Sequence, residues 1–364
     1  MKNFVYMDAA ASWLKPQSVI EVESDFLRNS YANAGRGICA RAGRVDALID
    51  VARATVADFI SADKENIVFT SGTTDAFNRI VNILRNTYPD KNFTVAVSDL
   101  DHHSARLPFA NWTKTVVMPL DNDFNIDVKN IPDADAYVIT AMSNVVGIAQ
   151  DVPLIAKAIR KKNKNAIVII DAAQFVVHNK IDVKKFDCDF LCFSGHKIGA
   201  DTGVGVMYIK NPDDFSADKF GGGMINRVDG KKMILNKSPE KFEAGTLPIT
   251  QIIGLREAIE KFSIRDNSRA LTDYMYDELS KIKQIKIFTP RDSCMISFTV
   301  DGMHVIDFGA LLGAHNICVR VGNMCASWIH KKLNIEGSVR ISVGPWNTMD
   351  DAKYVVGVIK DLVK

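Results

Sequence analysis

Short apolar segments that end in polar residues recur along much of the sequence, and they restrict the fold more than any other feature. Residues 136–140, 166–170 and 190–193 are apolar at nearly every position. Because successive side chains of a strand point to opposite faces, such runs indicate strands covered on both faces, as in a parallel sheet. Helical patterns, such as residues 152–162, lie between the runs and suit crossover connections. We therefore predict an α/β fold with a mostly parallel sheet.

The pattern changes after about residue 255. Shorter apolar runs, such as residues 295–300 and 339–343, follow two helical patterns there. This arrangement is typical of a smaller α+β domain. We predict an N-terminal segment (1–14) that packs with the small domain, a large domain (15–255) and a small C-terminal domain (256–364).

The charge and cysteine content exclude several classes of protein. The 45 Lys and Arg residues nearly balance the 43 Asp and Glu residues, which argues against a binder of nucleic acid or of anionic membranes. No apolar run approaches the roughly 18 residues that span a bilayer, and residues 1–8 lack a secretory pattern. The six cysteines show no Cys-x-x-Cys spacing, so neither a metal site nor a disulfide framework is expected. We predict a cytoplasmic protein with reduced thiols.

Two polar residues after predicted strands are candidates for chemistry. Asp171 ends the run 166–170; it is either a helix N-cap or a carboxylate that keeps a pyridine nitrogen protonated. Lys197 lies in Ser194-Gly195-His196-Lys197 after the run 190–193. It is either a solvated charge or a Schiff-base nucleophile whose pKa is lowered by desolvation.

Two further motifs are weaker when taken alone. Ser71-Gly72-Thr73-Thr74 lies between a predicted strand and a predicted helix, where hydroxyl and amide groups form either a phosphate site or an ordinary cap. His102 and His103 are either surface histidines or a source of an imidazole that stacks on a flat cofactor.

Taken together, the motifs resemble the class V pyridoxal phosphate enzymes, and among these the cysteine desulfurases of the Suf-type (group II) subfamily. The resemblance extends over nearly the whole chain and implies the fold type I architecture of pyridoxal phosphate-dependent transferases. The matching segments are Met7-Asp8-Ala9-Ala10, Gly72-Thr73-Thr74, His102-His103, Ser143-Asn144-Val145-Val146-Gly147, Asp171-Ala172-Ala173-Gln174, Ser194-Gly195-His196-Lys197, Gly221-Gly222-Gly223-Met224-Ile225, Phe242-Glu243-Ala244-Gly245-Thr246, Val339-Arg340-Ile341-Ser342 and Asn347-Thr348.

The resemblance implies a role for each residue around the cofactor ring. Lys197 forms the imine with pyridoxal 5'-phosphate and later moves protons. Asp171 pairs with the pyridine nitrogen, and Gln174 with the ring hydroxyl. His102 stacks on the ring and takes part in catalysis.

The same resemblance implies which residues bind the phosphate and which bind the substrate. Residues that hold the phosphate are Thr73, Thr74, Ser194 and His196, with Thr246 reaching across from the partner subunit of a homodimer. Residues that bind L-cysteine are Asn144, Arg320, Arg36 and Arg340, the last of which grips the substrate carboxylate.

Cys325 is the candidate nucleophile among the six cysteines. The resemblance places the reactive cysteine five residues after one arginine and fifteen before another, and Arg320 and Arg340 keep both spacings. A nearby arginine favours the reactive thiolate. The other five cysteines are expected to be packing residues, since free cysteines are often buried.

The implied reaction converts L-cysteine to L-alanine and leaves a persulfide on Cys325. The persulfide then passes to an acceptor protein, SufE-like or SufU-like, for iron–sulfur cluster assembly or another sulfur-transfer pathway. The alternatives are a selenocysteine lyase, another class V lyase or aminotransferase that does not use the thiol, and a degenerate scaffold subunit. Asn323-Met324 stands where the family has two histidines, and Gly35 where a histidine is common.

Overall fold

The structure is a computed structural model that describes residues 4–35, 37–89, 91–230, 232–263 and 267–364. The helices are α1 (Gln17–Asp25), α2 (Ala40–Ile60), α3 (Thr73–Thr87), α4 (His103–Trp112), α5 (Val152–Lys162), α6 (Phe175–His178), α7 (Val183–Phe186), α8 (Ile249–Lys261), α9 (Asn267–Leu279), α10 (Val305–Ala314), α11 (Ser327–Lys332) and α12 (Met349–Leu362). The strands are β1 (Val5–Tyr6), β2 (Ile67–Thr70), β3 (Thr94–Ser98), β4 (Lys114–Met118), β5 (Ala136–Thr140), β6 (Ile167–Asp171), β7 (Phe190–Ser194), β8 (Gly205–Ile209), β9 (Ile225–Asp229), β10 (Lys232–Leu235), β11 (Ile285–Ile287), β12 (Met295–Val300), β13 (Ile317–Cys318), β14 (Arg320–Gly322) and β15 (Ser338–Ser342).

The large domain is built on a central sheet. Within the described residues it has seven strands in the order β2-β8-β7-β6-β5-β3-β4. Strands β3 to β7 run parallel, whereas β8 and β2 are antiparallel to their neighbours. The prediction of an α/β fold with a mostly parallel sheet is confirmed. The sequence patterns did not single out β4 and β8; β8 is nevertheless buried along its whole length.

Alternate residues of the central strands enter two cores, one on each face of the sheet. Val168 and Ile170 pack with buried residues of α2, α5 and α8, whereas Ile169 packs with those of α3 and α4. Each fully buried aliphatic side chain contributes roughly 1.5–3 kcal/mol relative to its exposed state. Burial on both faces is the reason that the strands are apolar at successive positions.

The small domain contains a four-stranded antiparallel sheet among the described residues, in the order β11-β12-β15-β14. Its core holds side chains from α9, α10 and α12. Strand β1 pairs with β13, and Asp8 forms a bridge to Ser342, so the N-terminal segment joins this domain. The predicted boundary at residue 255 falls inside α8, whose buried hydrophobic side chains belong to the large-domain core. We propose that the boundary lies after α8.

The parallel strands end at one edge of the sheet. Ser98, Thr140, Asp171 and Ser194 are the last residues of β3, β5, β6 and β7 in that order. Ligands of open α/β sheets bind at this edge.

Among the helices described here, none is long and apolar enough to cross a bilayer.

Candidate active site

A cavity of about 280 Å³ opens at this edge, between the strand ends and the small domain. It brings together nearly all the predicted site residues: Thr73, Thr74, His102, Asn144, Asp171, Gln174, Ser194, His196, Lys197, Arg320, Cys325 and Arg340. Thr246 is exposed and does not line this cavity. Arg36 lies outside the described residues.

Asp171 is buried and Lys197 half-buried in the cavity, and the charge of each affects the pKa of the other. Burial raises the pKa of Asp171, although a hydrogen bond from the Ala173 amide (2.9 Å) and the charge of Lys197 oppose the rise. Burial also lowers the pKa of Lys197 to about 8, with the positive charge of Arg340 acting in the same direction and Asp171 in the opposite one. A pKa of about 8 leaves roughly a tenth of Lys197 as a neutral, nucleophilic amine at pH 7, far more than for an ordinary lysine.

His102 is held as a neutral ring at the cavity wall. Its Nδ1 accepts a hydrogen bond from the backbone amide of Ser104 (3.1 Å) and lies 2.7 Å from the Ser104 hydroxyl. Burial, and then the charge of Lys197, lowers the pKa of His102 to about 4. A neutral imidazole suits stacking against a flat cation.

The start of α3 forms a polar cradle beside Ser194. The Ser194 hydroxyl accepts from the Thr73 amide (2.8 Å) and lies 2.7 Å from the Thr73 hydroxyl. Gly72 has a φ of +149°, and a Cβ on Gly205 would lie 2.6 Å from the Gly72 Cα atom. Two glycines are therefore needed for this close approach. The amides and the dipole of the helix N-terminus favour an anion here.

The N-terminal segment closes one side of the cavity. Gln174 Nε2 donates to the Ala10 carbonyl (2.6 Å), while Gln174 Oε1 is buried without a partner among the described residues. The Trp13 amide donates to the His196 carbonyl (3.0 Å), and His196 Nδ1 lies 3.3 Å from the Ser12 hydroxyl. A buried acceptor without a partner points to a missing ligand group.

Cys325 lies on the loop of residues 323–326 that joins β14 to α11. Both Met324 (φ +50°) and Cys325 (φ +54°) adopt the left-handed conformation. The Cys325 amide donates to Asn323 Oδ1 (3.2 Å), and the Cys325 carbonyl accepts from the His103 amide (2.7 Å). Asn144 Nδ2 donates to the Met324 carbonyl (2.9 Å). These contacts hold an exposed thiol at the mouth of the cavity.

Arg340 and Arg320 share one carboxylate. Arg340 is 2% exposed and donates from Nη1 to the Asn144 carbonyl (2.8 Å). Asp8 lies between the arginines, 3.2 Å from Arg340 Nη2 and 2.8 Å from Arg320 Nη2. Arg320 thus pairs with Asp8, whereas the sequence-based hypothesis assigned it to the thiolate of Cys325.

The prediction that the five other cysteines are packing residues is wrong for Cys39. Cys188 and Cys192 are buried, and burial raises the pKa of each thiol. Cys294 and Cys318 are half-buried. Cys39 is exposed, because it lies just before the first turn of α2.

Sequence reasoning gave no role to two residues that organise the site, Asp8 and Asp101. Asp8 lies in Met7-Asp8-Ala9-Ala10, a matching segment that could have drawn attention to it. Asp101 is fully buried and accepts from the Ser98 amide (2.7 Å) and the Thr140 hydroxyl (2.8 Å), which fixes the turn before His102. Burial raises the pKa of Asp101 to about 6 despite these bonds.

Within the described ranges, no cluster of His, Cys, Asp or Glu is arranged to hold a metal ion.

Comparisons with known proteins give a consistent result. The family model "Aminotransferase class-V" matches residues 5–355. A probable cysteine desulfurase of Pyrococcus abyssi (strain GE5 / Orsay) is 33% identical, over 100% of this chain and 95% of its own length. The cysteine desulfurase CsdA of Escherichia coli (strain K12) is 32% identical, over 98% of this chain and 93% of its own.

Solved structures agree with these sequence relatives. The apo structure of a cysteine desulfurase from Thermococcus onnurineus NA1 has a TM-score of 0.93 at 31% identity, and the match covers 99% of this chain and 94% of that one. The structure of CsdA from Escherichia coli gives a TM-score of 0.89 at 32% identity, over 99% and 96%. The predicted large and small domains of this α/β fold are thereby confirmed.

Proposed function

The chain belongs to the class V aminotransferase family, and we propose that it is a pyridoxal phosphate-dependent cysteine desulfurase. The observation that supports this most directly is the meeting of Lys197, Arg340 and Cys325 in one cavity. An amine, a carboxylate-binding group and a thiol are the three groups that the reaction requires.

The donor set of the cavity fits pyridoxal phosphate. Thr73, Ser194 and the start of α3 would hold the phosphate, and the buried carboxylate of Asp171 would pair with the ring nitrogen. Gln174 Oε1 has no hydrogen-bond partner among the described residues, so it is free to accept one. The Gln174 amide would therefore contact the ring hydroxyl. The bound group supplies an electron-poor ring that withdraws electrons from the substrate α-carbon.

The chain's own residues account for the remaining steps. Arg340 binds the α-carboxylate of L-cysteine through charge-assisted hydrogen bonds. Lys197, whose pKa of about 8 permits exchange near neutral pH, takes the proton from the α-carbon. The thiolate of Cys325 attacks the substrate sulfur, so that an S–S bond forms as the substrate Cβ–S bond breaks. Overall, L-cysteine and the Cys325 thiol give L-alanine and a Cys325 persulfide.

We also propose that the chain is of the Suf-type (group II) subfamily and acts as a homodimer. The short connection that bears Cys325, residues 323–326, supports the subfamily. Thr246 is exposed, and the amide of the preceding Gly245 donates to the Gly222 carbonyl (2.8 Å). The described part of the segment 220–235 carries apolar side chains that are more than half exposed: Phe220, Val228 and Met233. A second copy would cover these side chains and receive Thr246 at its phosphate site.

The exposed position of Cys325 suits transfer of the persulfide to a SufE-like or SufU-like acceptor protein. Since the reaction needs a free thiol, we place the protein in a reducing compartment such as the cytoplasm.

The test is cysteine turnover by the cofactor-loaded protein, followed as alanine released and as persulfide on Cys325. We expect Cys325→Ala to abolish both products. Cys39→Ala is the matched control, because Cys39 is the other fully exposed thiol of the described chain, and it should retain both. Alanine release by Cys325→Ala at the normal rate would reject the proposed nucleophile.

A further inference from the structure

The residues on either side of Cys325 belong to a small apolar core that contains side chains of both domains. Met324 and Ala326 are buried in this core, whereas Cys325 between them is exposed. The other members of the core are Leu100, Val145, Val146 and Ile329. The position of the thiol therefore depends on how its loop is fastened to the large domain.

His103, the first residue of α4, contacts this part of the chain twice. Its backbone amide donates to the Cys325 carbonyl (2.7 Å). Its ring atom Nε2 lies 2.9 Å from the Ser327 hydroxyl and accepts, at a longer 3.4 Å, from the Ser327 amide. One residue of the large domain thus holds the chain at Cys325 and again two residues later.

The imidazole supplies an acceptor that α11 does not have within its own segment. The first amides of a helix have no acceptor inside the helix, and Ala326, which precedes α11, has no side chain that could cap it. Because the Ser327 amide donates to Nε2 of His103, this nitrogen is unprotonated and the ring proton lies on Nδ1. Burial lowers the pKa of His103, which favours the neutral ring that this contact requires.

Trp328 of α11 strengthens the contact with α4. The rings of His103 and Trp328 meet edge to face, with centroids 5.3 Å apart and planes at 83°. The guanidinium carbon of Arg106, a buried residue of α4, lies 4.2 Å from the centroid of the Trp328 ring. Arg106 also donates to the carbonyl of Ser98, the last residue of β3 (3.2 Å). The contact therefore connects α11 to the edge of the central sheet.

We propose that His103 is a positioning residue that fixes the Cys325 thiol relative to the cofactor site. The preceding residue, His102, lines the cavity, while His103 does not line it and contacts the loop instead. One turn of the chain thus sets the position of the cavity wall and of the nucleophile. The inference rests on the proposed function, because it takes Cys325 as the nucleophile.

The test uses three substitutions of His103. His103→Phe keeps a ring against Trp328 and removes the acceptor. His103→Gln places an amide oxygen at about the distance of Nε2 from the backbone, so it can still accept from Ser327. His103→Asn is the matched control, because its amide is one methylene shorter and does not reach Ser327.

The assay is a single turnover of L-cysteine by the loaded protein, in which serine replaces the exposed Cys39. We expect the maximal rate of persulfide formation to fall by up to about fivefold in His103→Phe and His103→Asn, the effect of losing one hydrogen bond. It should recover in His103→Gln. The cysteine concentration that gives half of the maximal rate should change less, because Arg340 is untouched.

Hydrogen exchange of residues 323–332 provides a measurement without turnover. In the loaded protein, these amides should exchange up to about fivefold faster in His103→Phe than in His103→Gln. A wild-type rate of persulfide formation in a folded His103→Phe protein, an equally slow His103→Gln variant, or equal exchange in the two variants would overturn the proposal. If His103→Phe does not fold, the comparison of His103→Asn with His103→Gln decides in the same way.

The two proposals fail in different ways. A wild-type protein that releases no alanine would refute the proposed function, whereas faster exchange in His103→Phe would still show that His103 holds the loop. A protein that forms persulfide at one rate in all variants would refute the role of His103 and leave the proposed function intact.

Discussion

Replacement of Asn323 by alanine tests whether the conformation of the Cys325 loop is maintained by one side chain. Asn323 is exposed, and its Oδ1 accepts from the Cys325 amide at 3.2 Å. The substitution therefore removes one acceptor and leaves the packing of both domains intact.

The size of the effect follows from the backbone. Met324 and Cys325 are both in the left-handed conformation, which costs roughly 1–2 kcal/mol for each residue that is not glycine. The hydrogen bonds from His103 and Asn144 to the two carbonyls offset part of this cost. Loss of the Asn323 bond removes about 1 kcal/mol more, so the equilibrium constant between the observed loop and its other conformations should fall by about fivefold.

The assay is a single turnover of L-cysteine by the loaded protein, in a Cys39→Ser background that removes the other exposed thiol. We expect the rate of persulfide formation to fall by up to about fivefold in Asn323→Ala, because fewer molecules hold the observed loop. Cysteine binding should change less, because Arg340 is untouched. Asn323→Asp should restore the rate, since a carboxylate oxygen can accept the same hydrogen bond.

Two results would refute this reasoning. One is a wild-type rate in Asn323→Ala, which would show that the loop conformation does not depend on the amide. The other is an equally slow Asn323→Asp variant, which would show that something other than the acceptor was lost.

Three further outcomes are expected. Glu243→Gln breaks the bidentate contacts of Glu243 with the buried Arg53, both 2.8 Å. The free energy of unfolding, measured in urea, should fall by about 3 kcal/mol. An unchanged midpoint of the urea unfolding curve would contradict this. Gly205→Ala places a methyl group 2.6 Å from the Gly72 Cα atom. An absorbance titration should show pyridoxal phosphate binding weakened by about tenfold, roughly the loss of one charge-assisted hydrogen bond. The control is Gly43→Ala, because a methyl group at Gly43 would lie in open space. Burial lowers the pKa of Lys197 to about 8, so its amine loses its proton near that pH. The rate at which cofactor-free protein takes up pyridoxal phosphate should therefore increase as the pH rises through about 8. An increase centred near the usual lysine pKa of about 10.4 would contradict this.

Much of the site was predictable because its residues follow parallel strands. Asp171 and Ser194 end β6 and β7, and the carboxyl ends of adjacent parallel strands meet at one edge wherever the chain has this pattern. The segment that contains Lys197 follows β7 directly. Position along the chain was therefore sufficient to place these three residues together.

Other parts of the site depend on contacts that no local pattern reveals. Asp8 and Arg340 are 332 residues apart in sequence, and their contact exists because the N-terminal segment lies along the end of β15. The left-handed conformation of Cys325 depends on His103 and Asn144 of the large domain. The exposure of Cys39 likewise depends on what packs over the start of α2.

The sequence by itself determined the alternation of buried strands with helices, the two-sided burial of the sheet and the edge at which the polar residues gather, since these follow from residue periodicity and chain direction. Only the tertiary structure decided which charges compensate one another at the cavity wall and how the Cys325 loop is held. Those properties depend on distances between segments that are remote in sequence, and such distances are set by the packing of the small domain and the N-terminal segment against the large domain.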